Sequence, residues 1–587
     1  MYVVLLEIIK VNINPSIIIV FISSAILFSC KKKEIGGTNP PLPTDTTVVI
    51  RPAVDPPIAG TIGFFLDDWQ PRTFVAPPYT DTSLPSSAAS VITVNAETII
   101  TKVPRSLFGN NSNLWMTQMV TETPLMNHLT NLHPHIIRFP GGSISDIFFW
   151  NAPKNTNPPD APTQFVKANG TKETAGFWYG KNTESWTFSV DNYYNMLQQT
   201  GNTGMITVNY GYARYSTSIN PVASAAHLAA DWVRYDNGRT KYWEIGNENY
   251  GDWEAGYRID PLFNKDGQPE IITGEIYGQH VKVFMDSMRK AAQEIGKSIY
   301  IGALLVESQP QSWNTNTVKT WNTGLFSKAG NAPDFHIVHN YFTPYQTNAT
   351  AGDILASAAT ESKKMFEFVS QSIQTAAVGA KPLALTEWNI FSEGSMQQVS
   401  HINGMHGVMV LGESLKNKYG MTSRWDLANG WANGNDHGMF SNGDEPGVPK
   451  WNPRPAFYHM YFFQACMGDR MIASSIASNS NIETYASSFT SGQVGLTLVN
   501  KSTSVQSVQV TIQNFNKGNR MFWYALTGGT DNGEFSRKVF VNGNGPSGVA
   551  GGPDNYATLK AYSANIQNGI RMNVPPRSVI CMVIDKK

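Results

Sequence analysis

The feature that most constrains this chain is an alternation running from residue 105 to residue 464. Short apolar runs alternate there with amphipathic segments. "HPHIIRFPGG" (133–142), "TGMITVNYG" (203–211), "TKYWEIGNE" (240–248), "SIYIGALL" (298–305), "DFHIVHNYF" (334–342) and "KPLALTEWN" (381–389) read as strands. Between them, "ASAAHLAADWVRYDNG" (223–238), "GEIYGQHVKVFMDSMRKAAQEIG" (274–296), "ATESKKMFEFVSQSIQTAA" (359–377) and "HINGMHGVMVLGESLKNKYG" (401–420) have helical periodicity, and the last closes the series. Strand then helix, repeated, implies parallel strands covered by helices. The size and repeat fit an α/β fold, a (β/α)8 TIM barrel over 105–464. A doubly wound sheet is the alternative, but no dinucleotide fingerprint follows the early strands.

The flanks differ in character. Residues 465–587 carry short alternating strands separated by turns such as "GGTDNG", which read as an antiparallel β-sandwich. Residues 61–104 open with the aromatic "TIGFFLDDWQPRTF" and continue into strands that associate with the sandwich or the barrel. Residues 31–60, dense in Pro and Gly, read as a flexible linker. Residues 1–30 read as a targeting leader, because Leu27-Phe28-Ser29-Cys30 looks like a bacterial lipoprotein processing site. Lipidation of Cys30 would attach the protein to a membrane of the bacterial cell envelope, with an ordinary signal peptide as the alternative. Cys466 and Cys581 lie in apolar stretches, either bridged or as buried thiols.

Net charge narrows the partners. Lys plus Arg equal Asp plus Glu at 44 each, which gives no support for binding nucleic acid. The 15 Trp, 23 Tyr and 29 Phe suit an uncharged ligand with apolar faces, such as a polysaccharide or oligosaccharide.

Within the barrel region, carboxylates stand where apolar residues are expected. Glu248 ends "YWEIGNE" and Glu387 ends the apolar part of "LALTEW". A buried Glu without a reason is rare. Strands of a barrel aim their C-terminal ends at one face, so the two acids can meet there. The chemistry that needs such a pair is glycosidic cleavage. One member donates a proton and needs a raised pKa, while the other stays ionised. Arg138 in "IIRFPGG" can orient the nucleophile, Tyr341 can donate to a carboxylate, and His339 and Asn247 stand beside them. Glu244, four residues before Glu248, suits a deeper ion pair, with Arg138 as a partner. Each has a plainer reading. The glutamates can cap an element or make surface salt bridges, His339 can be structural, and Arg138 can merely bridge strands.

These motifs resemble glycoside hydrolase clan A, most closely its family 51 α-L-arabinofuranosidases. "RFPGG" (138–142), "WEIGNE" (243–248), "AADWVRYDNG" (229–238) and "TEWN" (386–389) occur in the family's order, and "VPPRSVICMVI" (574–584) resembles its chain end. The resemblance implies a barrel followed by a β-sandwich and a retaining mechanism. It makes Glu248 the acid/base with Asn247 its partner, and Glu387 the nucleophile. Departures are "NENYGDW" after the acid/base, Thr386 in place of an acid, and "SLFGNNSNLWM" (106–116), which lacks the family's sugar-binding Glu. Asn110, Asn111 or Asn113 can take that place. Trp253, Trp388 and Trp431 are further candidates to bind sugar rings, although several tryptophans will be core residues.

Three other functions remain in play, one of them a lyase in which His339 or Tyr341 is the base and Arg138 neutralises a uronate. An endo-acting glucanase, galactanase or agarase would use the same barrel, and the polar loop "GWANGNDHGMF" (430–440) suits further sugar subsites. A carbohydrate-binding lipoprotein without catalysis would have lost one carboxylate. No cofactor is implied and no catalytic metal cage stands out, with a structural calcium at Asp436 or Asp444 left open.

Overall fold

The computed structural model describes residues 50–587. The leader, Cys30 and the linker up to residue 49 lie outside the described residues.

Eight parallel strands close into a barrel. They are β1 (Gly109–Asn111), β2 (Ile136–Phe139), β3 (Thr203–Val208), β4 (Tyr242–Ile245), β5 (Tyr300–Leu304), β6 (Phe335–Asn340), β7 (Leu383–Trp388) and β8 (Met421–Arg424). Helices cover them: α1 (Thr123–Leu132), α2 (Val190–Thr200), α3 (Pro221–Asp236), α4 (Gly274–Glu294), α5 (Asn316–Ala329), α6 (Ala351–Thr375), α7 (His401–Lys416) and α8 (Pro455–Cys466). Strand alternation decides which side chains enter the barrel. Trp243 of β4 points outward to Trp232 of α3, ring centroids 6.2 Å apart, so Glu244 points in. Phe139 of β2 points outward and stacks on Tyr193 of α2 at 4.5 Å, so Arg138 points in.

The aromatic segment before the barrel plugs its lower end. Phe64 stacks on Tyr300 at the start of β5, with centroids 3.7 Å apart, and Phe65 packs on Tyr242 and Phe335. The chain is tied down slightly earlier, where Asp55 accepts from Arg470 at 2.6 Å.

The C-terminal strands join an eleven-stranded sheet. Its inward side chains, among them Ile92, Ile472, Leu498, Val510, Trp523 and Met582, meet in one apolar cluster, so the sheet curls over itself and makes the sandwich. Strand Ser90–Lys102 completes it from the other side of the barrel sequence. The pairing is not wholly antiparallel as expected, since this strand runs parallel to Gln506–Gln513 and Tyr79–Asp81 runs parallel to Ala561–Asn565. Cys466 and Cys581 are free and buried.

Two boundaries differ from the sequence reading. The series does not close on α7, because β8 and α8 follow it. Helix α6 begins at Ala351, eight residues before the expected start, where the Thr350 hydroxyl caps it.

Candidate active site

The C-terminal ends of β2, β4, β6 and β7 bring together the polar residues that stood out in the sequence. Arg138 is fully buried. Its Nε donates to Glu244 at 2.5 Å, one terminal nitrogen donates to Asn111 Oδ1 at 2.9 Å and to Glu387 at 3.2 Å, and the other donates to Asn247 Oδ1 at 3.0 Å. Glu244 also accepts from Thr207 of β3 at 2.7 Å. Glu244 is thus the structural ion partner of Arg138, and that pairing fixes the guanidinium so that it reaches Glu387.

Glu387 receives a second donor. The Tyr341 hydroxyl donates to its other oxygen at 2.6 Å. Burial raises the Glu387 carboxyl above its ordinary range and the charge of Glu248 adds to this, while His339, Arg138 and Tyr341 pull it down. Burial also lifts the Tyr341 phenol well above its usual range, so it stays a donor. His339 bridges the two acids. Its Nδ1 lies 2.9 Å from Glu248 Oε1 and 3.9 Å from Glu387, and its Nε2 lies 3.0 Å from Thr386 Oγ1. Burial opposes a charged His339, but the hydrogen bond to Glu248 and the charge of Glu387 outweigh it and raise its pKa.

One ligand atom from each of Glu248, His339 and Glu387 lies within 4.8 Å of the other two. That density of atoms can hold a cation, although Arg138 already brings positive charge to the same carboxylate. Chemically, the arrangement offers one carboxylate gripped by two donors and a second one facing it, bonded to an imidazole.

Three expected sugar contacts fall elsewhere. Trp388 is 1% exposed, because Glu387 points in and its neighbour must point out towards Gly407 of α7. For the same reason Asn110 faces away and donates to the Phe108 carbonyl, leaving Asn111 to face the site. Trp431 is buried, with the guanidinium groups of Arg454 and Arg537 over its ring at 5.8 and 5.2 Å. Trp253, in the loop that carries Glu248, is 62% exposed. Asn247 has its amide committed to Arg138 and Glu254. The calcium alternative meets an obstacle at Asp436, whose carboxylate accepts from Arg454 at 2.7 Å.

Sequence reasoning passed over Asp146, Glu254 and Glu307. Glu307 lies just beyond β5, between the strands that carry Glu248 and His339, and burial pushes it up to about 7. The one available signal was an acid soon after the end of an apolar strand, which is also common on surfaces.

No family model matches the chain. A probable α-L-arabinofuranosidase C of Aspergillus terreus is 23% identical over 293 residues, a match covering 46% of this chain and 51% of that protein. The chain therefore spans about half the length of the curated relatives it matches. Among solved structures, a family 51 α-L-arabinofuranosidase from Bifidobacterium longum superposes with TM-score 0.59 at 16% identity, covering 85% of this chain and 100% of that one. A family 44 xyloglucanase from Paenibacillus polymyxa superposes with TM-score 0.53 at 12% identity, with coverage of 85% and 100%. At such identities the likeness is one of fold alone, a closed barrel with a β-sheet domain.

Proposed function

We propose that this chain is a retaining glycoside hydrolase of α-L-arabinofuranosidase type, acting on a plant or algal polysaccharide. The observation that carries the reading is the meeting of Glu248 and Glu387 at the barrel mouth, with reactive atoms and His339 inside 4.8 Å. Retaining enzymes hold their two carboxyls about 5 Å apart, whereas inverting enzymes need room for a water between them. Glu387, gripped by Arg138 and Tyr341, attacks the anomeric carbon while Glu248 gives its proton to the departing oxygen. Water, deprotonated by Glu248, then releases the sugar from Glu387, and two inversions restore the configuration.

A second reading, endo cleavage on the same barrel, is favoured by one observation. Trp253, Trp313 and Tyr345 are 62%, 80% and 69% exposed on the loops after the consecutive strands β4, β5 and β6. Aromatic faces on neighbouring loops suit successive rings of a longer chain.

Product analysis on arabinan, arabinoxylan, β-glucan, galactan and agar tests both. Free arabinose that vanishes in Glu248→Ala and Glu387→Ala supports the first reading. Oligosaccharides that vanish in both variants move the enzyme to the endo class. Product that persists without Glu387 contradicts the shared mechanism.

A further inference from the structure

Two buried carboxyls behind the Glu248 turn take no part in this mechanism. Asp146 is fully buried and Glu254 nearly so. Among the described residues neither makes an ion pair, and carboxylates in that position need other compensation. Asp146 finds it in three N–H donors: Gly211 N at 2.9 Å to one oxygen, and Asn247 N at 3.2 Å and Asn249 Nδ2 at 2.8 Å to the other. Glu254 accepts from Ser143 Oγ at 2.7 Å and Asn247 Nδ2 at 3.0 Å, both on one oxygen, while its other oxygen has no partner. Burial pushes Asp146 up to about 7 and Glu254 well above its ordinary range, and the charge of Asp146 adds to the lift on Glu254. The two therefore oppose one another's ionisation. The donors distinguish them: both Asp146 oxygens face N–H groups, which favours its charged form, whereas one oxygen of Glu254 has no partner.

The turn these acids hold is not relaxed. Gly246 has φ +77° and Glu248 has φ +43°. The left-handed region is disfavoured for a residue with a Cβ. Asp146 bonds to residues 247 and 249, one on each side of Glu248. It is itself anchored, since its own carbonyl accepts from Tyr215 Oη at 3.0 Å. A Cβ on Gly211 would come within 2.4 Å of that carbonyl, so the approach is built in.

We propose that Asp146 is a positioning residue for Glu248: its carboxylate braces the 246–249 turn in the conformation that presents Glu248 to the scissile oxygen. The proposal rests on Glu248 being the proton donor. A brace of this kind acts on one step only. Protonation matters for a poor leaving group and hardly at all for a good one, so loss of the brace produces a loss that depends on the leaving group. A merely structural role would lower activity on all substrates alike.

The test is kcat/KM, which reports the first chemical step, on phenyl and dinitrophenyl α-L-arabinofuranosides for wild type, Glu248→Gln and Asp146→Asn. Asp146→Asn is expected to lose about 100-fold on the phenyl glycoside and less than about fivefold on the dinitrophenyl one. Asn249→Ala removes one strut with Asp146 intact, is expected to lose about tenfold with the same dependence, and decides the matter if Asp146→Asn fails to fold. A steep dependence in Glu248→Gln with equal losses on both substrates in Asp146→Asn, or in Asn249→Ala where that variant decides, overturns the brace alone. Equal losses in Glu248→Gln overturn the assignment of the proton donor, and the brace with it.

Discussion

At the scale of single residues, Glu387 depends on what grips it. The Tyr341 hydroxyl is one of two donors to a buried carboxylate, and hydrogen bonds to charged groups contribute about 2 kcal/mol. Tyr341→Phe is therefore expected to lower kcat/KM about 30-fold. The same bond holds the Glu387 pKa down against burial. Without it more of the enzyme keeps Glu387 protonated and inactive at mildly acidic pH. The acidic limb of the pH–kcat/KM profile thus moves to higher pH in Tyr341→Phe, and an unmoved limb contradicts the assignment. Arg138, Glu244 and Glu387 were legible because each is a charge inside an otherwise apolar strand, and Glu248 because it closely follows one. Asn111 and Asp146 were not singled out in this way. Asn111 reaches the Ser423 carbonyl 312 positions away and Asp146 reaches Asn247 101 positions away, and nothing local marks a polar residue as one end of such a contact.

At the scale of elements, the strands that announced themselves are those whose outward residues are large and apolar, such as β2, β3 and β7. Strands β1 ("GNN") and β8 ("MTSR") carry no such run. Their hydrogen-bond ladders with neighbours fix them instead, and a ladder leaves no trace in residue type. Helix α7 is buried along almost its whole length, and a helix covered on all sides lacks a polar stripe to mark its orientation. It packs against the sheet, where the Tyr485 hydroxyl donates to Glu413 at 3.0 Å. Close packing of the sheet domain on the barrel is testable at Gly495, where a Cβ would meet the Cys466 carbonyl at the end of α8 at 2.2 Å. Gly495→Ala is expected to cost about 1–3 kcal/mol, read as a lower Tm, with kcat of the folded enzyme unchanged. An undiminished Tm would contradict that packing.

At the scale of the whole molecule, the repeat of strand and helix was enough to anticipate the barrel, and the short strands after it anticipated the sheet domain. The contribution of Ser90–Lys102 to that sheet was not legible in detail, since its partners Arg470–Ile476 and Gln506–Gln513 lie beyond the entire barrel sequence. Substrate choice is set at this scale too, by loops from several strands meeting at one face, and a linear reading cannot assemble them. The proposed chemistry stands on one covalent event, which can be trapped. A fluorinated aryl arabinofuranoside that forms the glycosyl–enzyme quickly and releases it slowly should add one sugar to the intact protein. Peptide mapping by mass spectrometry is expected to place that sugar on Glu387. A sugar on any other carboxyl, or turnover with inversion and no adduct, would contradict the two-glutamate retaining mechanism.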